Sequence, residues 1–167
     1  VGSEAEAIQG AMDIIAERVS DDAETRKKLR RIFLKNAFIS TKLAKTEDEA
    51  AKTYEMYADY SECVSEIKSH RILAVNRGES EGYLKVKIVL DKDFAIRVCS
   101  VGFVKEGSIT TPVVQAAVAD GYERLIYPSI EREIRNYLTE NASEQGIKMF
   151  ASNLKPLLLQ PPVKGKV

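Results

Sequence analysis

The sequence of 167 residues lacks the patterns from which most catalytic and metal sites are built. It contains one histidine and two cysteines, Cys63 and Cys99, which lie far apart and form no CxxC pair. Neither a metal site nor a redox motif is therefore predicted, and we expect two reduced thiols. No GxGxxG, GxxxxGK[ST], HExxH or GxSxG motif occurs, and no acidic pair lies among apolar residues. We expect a chain without enzymatic activity or cofactor.

Long apolar runs and net charge are also absent. No apolar stretch approaches the roughly 18 residues needed to cross a bilayer, and the first residues lack the features of a signal peptide. We therefore expect a cytoplasmic protein with no membrane partner. The 25 basic and 25 acidic residues cancel. Total charge thus gives no case for nucleic-acid binding, although a local basic patch can exist in a neutral chain.

Periodic apolar residues, which make up part of a 44% hydrophobic composition, predict a mainly α fold. We expect six to eight helices in a multi-helical array, with one or two short strands. Ser3 with Glu6, and Asp21 with Glu24, have the spacing of capping boxes at the start of two helices. A turn at Ser20 makes these two helices a hairpin.

A tyrosine-rich helix is predicted next, with Thr46 and Glu49 as its capping box. Tyr54, Tyr57 and Tyr60 follow at a spacing of three and would form one aromatic edge. Such an edge is typical of packing against a neighbouring helix, and base stacking is the alternative.

The segment "SHRILAVNRGESEG" holds the one histidine, His70. Ser69 fits an N-cap and Gly78 a left-handed C-cap, so a short helix with Arg77 near its negative end is predicted. No acid or nucleophile lies beside His70 in the sequence. We therefore interpret this histidine as structural and not catalytic.

The best strand signal is the alternation of apolar and polar residues over 83–90. A strand needs a hydrogen-bonding partner. Within the chain the candidates are "FISTKL", which starts at Phe38, and the tail around "KGKV". A partner outside the chain is the remaining possibility.

Later segments predict further helices. Residues 92–106 are ambiguous, but Asp91 as N-cap and Gly107 as terminator favour a helix over a strand. Thr111 as cap and Pro112 at the first position start another helix. Pro128 is expected to break or kink the helix that follows.

Basic residues are concentrated on the second helix of the hairpin. This cluster consists of Arg26, Lys27, Lys28, Arg30, Arg31 and Lys35. Such a face could contact the phosphates of RNA or DNA. The acidic stretch from Glu47 to Glu62 could instead neutralise it through surface salt bridges, and the sequence leaves both interpretations open. We include Arg71 and Arg77, the two arginines near His70, among the candidate nucleic-acid contacts.

The stretch "YADYSECVSEIKSHRILAVNRGESEGYLKV" resembles the Tex family of bacterial transcription accessory proteins. The family pattern is YxDYSEPxxxxxSHRxLAxxRGExEGxL. The matching residues are Tyr57, Asp59, Tyr60, Ser61, Glu62, Ser69, His70, Arg71, Leu73, Ala74, Arg77, Gly78, Glu79, Glu81, Gly82 and Leu84. Cys63 replaces the proline of the pattern. Segments before and after this stretch are similar to the same family, so the resemblance covers nearly the whole chain.

The resemblance implies the central helical region of a nucleic-acid-binding factor. In such proteins RNase H-like, helix-hairpin-helix and S1 domains flank this region, and the main RNA contacts are expected in the S1 domain. The implied role is a scaffold that positions those domains. Together with the basic cluster between Arg26 and Lys35, this gives the hypothesis of a scaffold that also lends a basic face to nucleic acid. The alternative is a protein-interaction module that docks RNA polymerase or another part of the transcription machinery without contacting nucleic acid.

We divide the sequence into four segments on this basis. Residues 1–45 form the helical hairpin, and residues 46–107 contain the tyrosine-rich helix, the "SHRILAVNRGE" helix and the strand. Residues 108–160 form the C-terminal helices. Residues 161–167 are interpreted as a linker into an RNase H-like domain, because a helical pattern passes through "QPP" into a basic, strand-like tail.

Overall fold

A computed structural model describes residues 3–44 and 49–159. The α-helices in this part of the chain are α1 (Glu4–Asp21), α2 (Ala23–Asn36), α3 (Ser69–Ser80), α4 (Lys92–Ser100), α5 (Thr111–Gly121) and α6 (Tyr127–Leu158). The other regular elements are a 3₁₀-helix (Glu49–Tyr57), a π-helical turn (Tyr122–Ile126) and the strands β1 (Phe38–Leu43), β2 (Asp59–Cys63) and β3 (Leu84–Val89). The fold is mainly α, as the sequence predicts, with one strand more than expected.

The helices α1 and α2 form the predicted hairpin. Ser3 caps α1 by accepting a hydrogen bond from the backbone N–H three residues on, at 3.3 Å. The prediction that Asp21 caps α2 is wrong, because Asp21 is the last residue of α1. Asp22 has the extended backbone of an N-cap and accepts from the backbone N–H of Thr25 at 2.8 Å. The turn therefore lies at Asp22 and not at Ser20.

The three strands form an antiparallel sheet in the order β2-β1-β3. Of the candidate partners for the 83–90 strand, "FISTKL" is the one that pairs with it, since Phe38 lies opposite Val89 and Leu43 opposite Leu84. The tail around "KGKV" and the predicted cap Thr46 lie outside the described residues. The prediction of a long tyrosine-rich helix is wrong, because a 3₁₀-helix ends at Tyr57 and the chain continues as β2.

The tyrosines serve the core, although they do not form one edge. Tyr54 and Tyr57 are buried. Three residues per 3₁₀ turn place them on the same side of that helix. Tyr60 lies on β2, and its ring meets that of Tyr57 edge-on with centroids 5.3 Å apart. The packing interpretation therefore fits Tyr54 and Tyr57, while the alignment of all three on one helix is wrong.

The helix around His70 is longer than the sequence predicts. It continues to Ser80, so Gly78 lies inside α3 and is not its left-handed cap. In this stretch the left-handed glycine is Gly82, just after the helix, with φ of 79°. Ser69 is the first helical residue and makes no capping bond within its own helix. Arg77 lies in the last turn, as expected.

The ambiguous segment after β3 is a helix over part of its predicted length. Asp91 caps α4 and accepts from the backbone N–H of Phe94 at 2.6 Å, as expected. The helix ends at Ser100 and not near Gly107. Gly102 and Gly107 both have positive φ, 95° and 79°, in the loop that follows.

Two helix boundaries near the C-terminus differ from the prediction. The N-cap of α5 is Thr110, and Thr111 is the first residue of the helix. Pro128 does not break the chain, since it lies in the first turn of α6. The π-helical turn directly before α6 joins it to α5 without a loop. This wider turn lies where Pro128 cannot supply an N–H to an α-helical ladder.

One hydrophobic core joins the sheet to the helices. Ile39 and Ile88 on the inner face of the sheet pack with Phe33 of α2 and with Ile130 and Ile134 of α6, and all five are almost fully buried. The helix α1 packs on α5. The N-terminal hairpin and the C-terminal helices therefore belong to the same body.

Candidate nucleic-acid interface

The six basic residues of α2 are divided between two faces of the helix. Arg26 donates from Nη2 to the hydroxyl of Ser129 at 2.7 Å. Arg30 forms an ion pair with Glu133, with 2.8 Å between Nη1 and Oε1. Both partners lie on α6. Arg26 and Arg30 therefore attach α2 to α6, which is a structural role that the sequence pattern does not reveal.

The remaining cations of α2 share its outer face, which consists of Lys27, Lys28, Arg31 and Lys35. All four are exposed, and no ion pair joins any of them to a described residue. The steps from Lys28 to Arg31 and Lys35 are three and four residues, which follow one side of an α-helix. Leu29 and Phe33 on the other side are fully buried. The core thus fixes which side of α2 faces solvent.

The acidic stretch 47–62 shows no ion pair with α2 in the part of the chain that the structure describes. The side chains of residues 47 to 49 lie outside that part. Glu55 and Asp59 are exposed. Glu62 pairs with Arg71 at 2.6 Å. The ion pair that the described structure shows for the basic cluster joins Arg30 to Glu133 of α6. The expectation that the acidic stretch neutralises the basic cluster therefore finds no support among these residues.

Arg71 and Arg77 lie on α3 and are both engaged within the protein. Arg71 Nη1 donates to Glu62 Oε1 and, at 3.5 Å, to the hydroxyl of Tyr60. Burial opposes ionisation of Glu62, but hydrogen bonds from Tyr60 and Arg71 outweigh it and hold the pKa of this carboxyl below its ordinary value. Arg77 Nε donates to Glu81 at 2.8 Å. No described hydrogen bond or ion pair connects either arginine with α2.

His70 is exposed in the first turn of α3. Among the described residues, no hydrogen bond or ion pair involves its side chain. Its neighbour Ser69 donates a hydrogen bond to Gln145 and so ties α3 to α6. Within residues 3–44 and 49–159, no group of three or more His, Cys, Asp or Glu side chains is placed to hold a metal ion.

Both cysteines are free thiols, as the sequence predicts. Cys63 is half-buried at the end of β2, and Cys99 is fully buried in α4. Burial raises the pKa of the Cys99 thiol to about 11, which keeps it protonated and unreactive at neutral pH. In the same described ranges, no helix is both long enough and apolar enough to cross a bilayer.

Three further lysines, to which the sequence analysis assigned no function, lie on the exposed face of the sheet. They are Lys42 on β1 and Lys85 and Lys87 on β3. The alternation that predicts a buried face for each strand also predicts which side chains point away from it. The signal was therefore present, but the pairing of β1 with β3 was needed to bring the three lysines together.

The structure defines a mainly α domain built around a small antiparallel sheet, with a cationic face on α2. Residues 1–150 match the model of a family described as Tex central region-like. This match covers most of the chain, and the chain belongs to that family. The resemblance read from the sequence is confirmed.

Relatives include bacterial and human proteins. The chain is 44% identical over 163 residues to "Uncharacterized protein YdcI" of Bacillus subtilis (strain 168), a match that covers 96% of this chain and 23% of that protein. It is 30% identical to "Transcriptional accessory protein Tex" of Neisseria gonorrhoeae, with 93% and 21% covered. It is 31% identical to "S1 RNA-binding domain-containing protein 1" of Homo sapiens, with 94% and 17% covered. The chain thus spans about a fifth of the length of these relatives.

Proposed function

We propose that this chain is the scaffold region of a transcription accessory factor, which positions flanking nucleic-acid-binding domains and contributes a basic face to RNA or DNA. The observation that carries the proposal is the outer face of α2, where four exposed cations form no ion pair with a described residue. Cations in this arrangement neutralise phosphates and release counterions. The names of two relatives, a transcriptional accessory protein and an S1 RNA-binding domain-containing protein, support the same function.

The scaffold part of the proposal rests on α6. This helix has 32 residues and is therefore about 48 Å long. The core holds its first half through Ile130, Ile134 and Leu138. A hydrogen bond of 2.8 Å from Asn76 to Thr139 adds a polar contact with α3. The half of the helix that is packed into the core can fix the position and the direction from which attached domains extend.

The binding part is tested by fluorescence anisotropy with labelled oligonucleotides at several salt concentrations. Lys27→Glu combined with Arg31→Glu reverses two charges on the outer face of α2. We expect at least a tenfold loss of affinity at low salt, and a slope of log K against log salt that is smaller by about 1 to 2.

The matched control is Lys105→Glu combined with Lys155→Glu. It makes the same change in net charge at exposed sites on other elements, and no ion pair joins either lysine to a described residue. The control should bind like the wild type apart from a small general effect. Absence of binding by the wild type at low salt, or equal affinities of the two double variants, would reject the role of α2.

A protein-interaction module for RNA polymerase or another transcription factor is distinguished by capture from a nuclease-treated lysate. A contact bridged by nucleic acid should disappear after this treatment, and a direct protein contact should remain. Our proposal contains no catalytic step. A reproducible nuclease or phosphatase activity that His70→Ala abolishes would contradict it.

A further inference from the structure

The three-stranded sheet has one face turned away from the hydrophobic core. Directly opposed residues of antiparallel strands point to the same side, so the strand register defines this outer sheet face. Its rows are Val89, Phe38 and Cys63, then Lys87, Ser40 and Ser61, then Lys85, Lys42 and Asp59. All nine are exposed or half-buried. The opposite face carries Ile39, Thr41 and Ile88, which are buried.

Positive charge dominates the outer sheet face. It carries Lys42, Lys85 and Lys87 against the single acid Asp59, and no ion pair joins these four residues in the part of the chain that the structure describes. Lys42 and Lys85 are directly opposed. Like charges in this position repel and lower stability. Lysines on an edge strand such as β3 hinder unwanted strand pairing, but Lys42 lies on the central strand, where no edge needs protection.

An exposed aromatic ring lies beside these lysines. Phe38 is 48% exposed and lies opposite Val89, which is 47% exposed. Only Ala37 separates Phe38 from the end of α2. The thiol of Cys63 donates to the backbone carbonyl of Lys35 at 3.5 Å. The cationic end of α2 therefore lies against the end of the sheet where the ring is exposed.

We propose that the outer sheet face, together with the end of α2, binds single-stranded RNA or DNA. Phe38 stacks on a base, and Lys42, Lys85 and Lys87, which all lie on one side of Phe38 along the strands, contact the phosphates on that side. This inference rests on the proposed nucleic-acid function and adds a second surface and a strand preference. An acidic polypeptide would match only the charge, whereas an unpaired nucleotide offers both a phosphate and a flat π-face. A duplex keeps its bases stacked and hides those faces.

The test uses short single-stranded RNA, single-stranded DNA and duplex DNA, each labelled for anisotropy. Phe38→Ala should weaken binding of single strands by roughly tenfold and leave the salt dependence unchanged, because stacking carries no charge. Lys85→Glu with Lys87→Glu should weaken binding and also reduce the salt slope. Ile109→Ala removes exposed apolar surface in the loop before α5, outside the outer sheet face, and is the control. It should bind like the wild type.

Stacking is measured directly with 2-aminopurine, a fluorescent base that stacking quenches, placed within the oligonucleotide. Wild type and Phe38→Trp should quench the fluorescence, and Phe38→Ala and Phe38→Leu should not. Because Phe38 is half exposed, these substitutions should leave the fold intact, and circular dichroism of each variant checks this. The RNA and DNA arms show whether the 2′-hydroxyl contributes.

The outcomes separate this inference from the proposed function. Loss of binding in the α2 double variant, with unchanged binding and quenching in all sheet variants, would reject the sheet platform and leave the proposed function in place. Equal affinity for duplex and single strands, without quenching, would reject it in the same way. If the wild type binds none of the three probes at low salt, both proposals fall.

Discussion

At the residue scale, Gly78 shows what the "RGE" sequence contributes to the fold. A Cβ atom at this position would lie 2.7 Å from Leu84 Cδ1 and 2.8 Å from Tyr54 Cδ1. The end of Leu84 can move aside. The ring of Tyr54 is held more firmly, because it stacks on Tyr83 with centroids 5.7 Å apart and its hydroxyl donates to Glu81 at 2.7 Å. Glycine is therefore required by close packing and not by a left-handed backbone.

Gly78→Ala should destabilise the protein despite the higher helix propensity of alanine. We expect the free energy of unfolding to fall by about 1 to 3 kcal/mol, because the added methyl overpacks the contact between α3 and the 3₁₀-helix. Gly10→Ala is the matched control. Gly10 lies within α1 with no atom within 4 Å of its Cβ position. The free energy of unfolding of the Gly10→Ala variant should rise by about 0.5 to 1 kcal/mol. Urea unfolding measures both changes, and equal effects of the two substitutions would contradict this packing argument.

Glu62 links β2 to α3 through its hydrogen bonds with Tyr60 and Arg71. The pKa of Glu62 is lowered in the folded protein. Its ionised form therefore stabilises the fold above the ordinary pKa of glutamate, and this contribution is lost as the pH falls through the lowered value. Between about pH 6 and pH 3, the wild type should lose more stability than Glu62→Gln. Urea unfolding at a series of pH values measures the slopes.

The exposed Glu140 provides the control for this titration, since no described residue forms an ion pair with it. Glu140→Gln should retain the steeper acid dependence of the wild type. A wild-type slope equal to that of Glu62→Gln would mean that the contacts of Glu62 with Tyr60 and Arg71 do not couple protonation of this carboxyl to folding.

At the scale of elements, α6 covers the outer edge of β3 at Ile88. The backbone N–H of Ile88 donates to Glu131 Oε1 at 2.9 Å, and the carbonyl of Ile88 accepts from the hydroxyl of Tyr127 at 2.9 Å. Both side chains come from the first turns of α6. An edge strand with unpaired backbone groups can recruit other strands, and these two contacts block that at Ile88.

The strands differ in how far sequence alone reveals them. Apolar alternation predicts β3, whose inward residues include Ile88, whereas β1 is only one of the candidate partners, although its inward Ile39 is also apolar. The inward residues of β2 are Tyr60 and Glu62, opposite Thr41 and Ile39. They are satisfied by hydrogen bonds with one another and with α3 rather than by apolar burial. A polar inner face carries no hydrophobic period, so β2 was not predicted.

The candidate interface was predictable to a similar extent. The sequence alone locates the basic cluster on α2, and the spacing of its residues predicts which of them share a side of the helix. The division of the cluster depends on α6, which lies about a hundred residues later and supplies Ser129 and Glu133 as partners for Arg26 and Arg30. The outer sheet face likewise depends on the long-range pairing of β1 with β3. Local sequence patterns do not determine contacts between distant segments, and both surfaces depend on such contacts.

At the scale of the whole molecule, α6 has two different halves. Its buried residues are Ile130, Ile134, Leu138 and Ala142, and they belong to the core. Beyond Gly146 the exposed apolar residues are Ile147, Met149, Phe150, Leu154, Leu157 and Leu158. Exposed apolar residues in this number are unusual for a solvent-facing helix and are typical of surfaces that make contacts. The second half of α6 is held by its own helical hydrogen bonds and not by the core.

Hydrogen exchange should therefore divide α6 near Gly146. Amides of 130–142 are expected to exchange only when the whole domain unfolds, because their side chains lie in the core. Those of 147–158 should exchange far faster, since fraying of a helix without buried contacts requires little free energy. Mass spectrometry of peptides from the two halves, at two protein concentrations, measures the difference. Equal protection of both halves at the lower concentration would contradict this division. Protection of 147–158 that rises with concentration would show that a second copy covers the apolar residues.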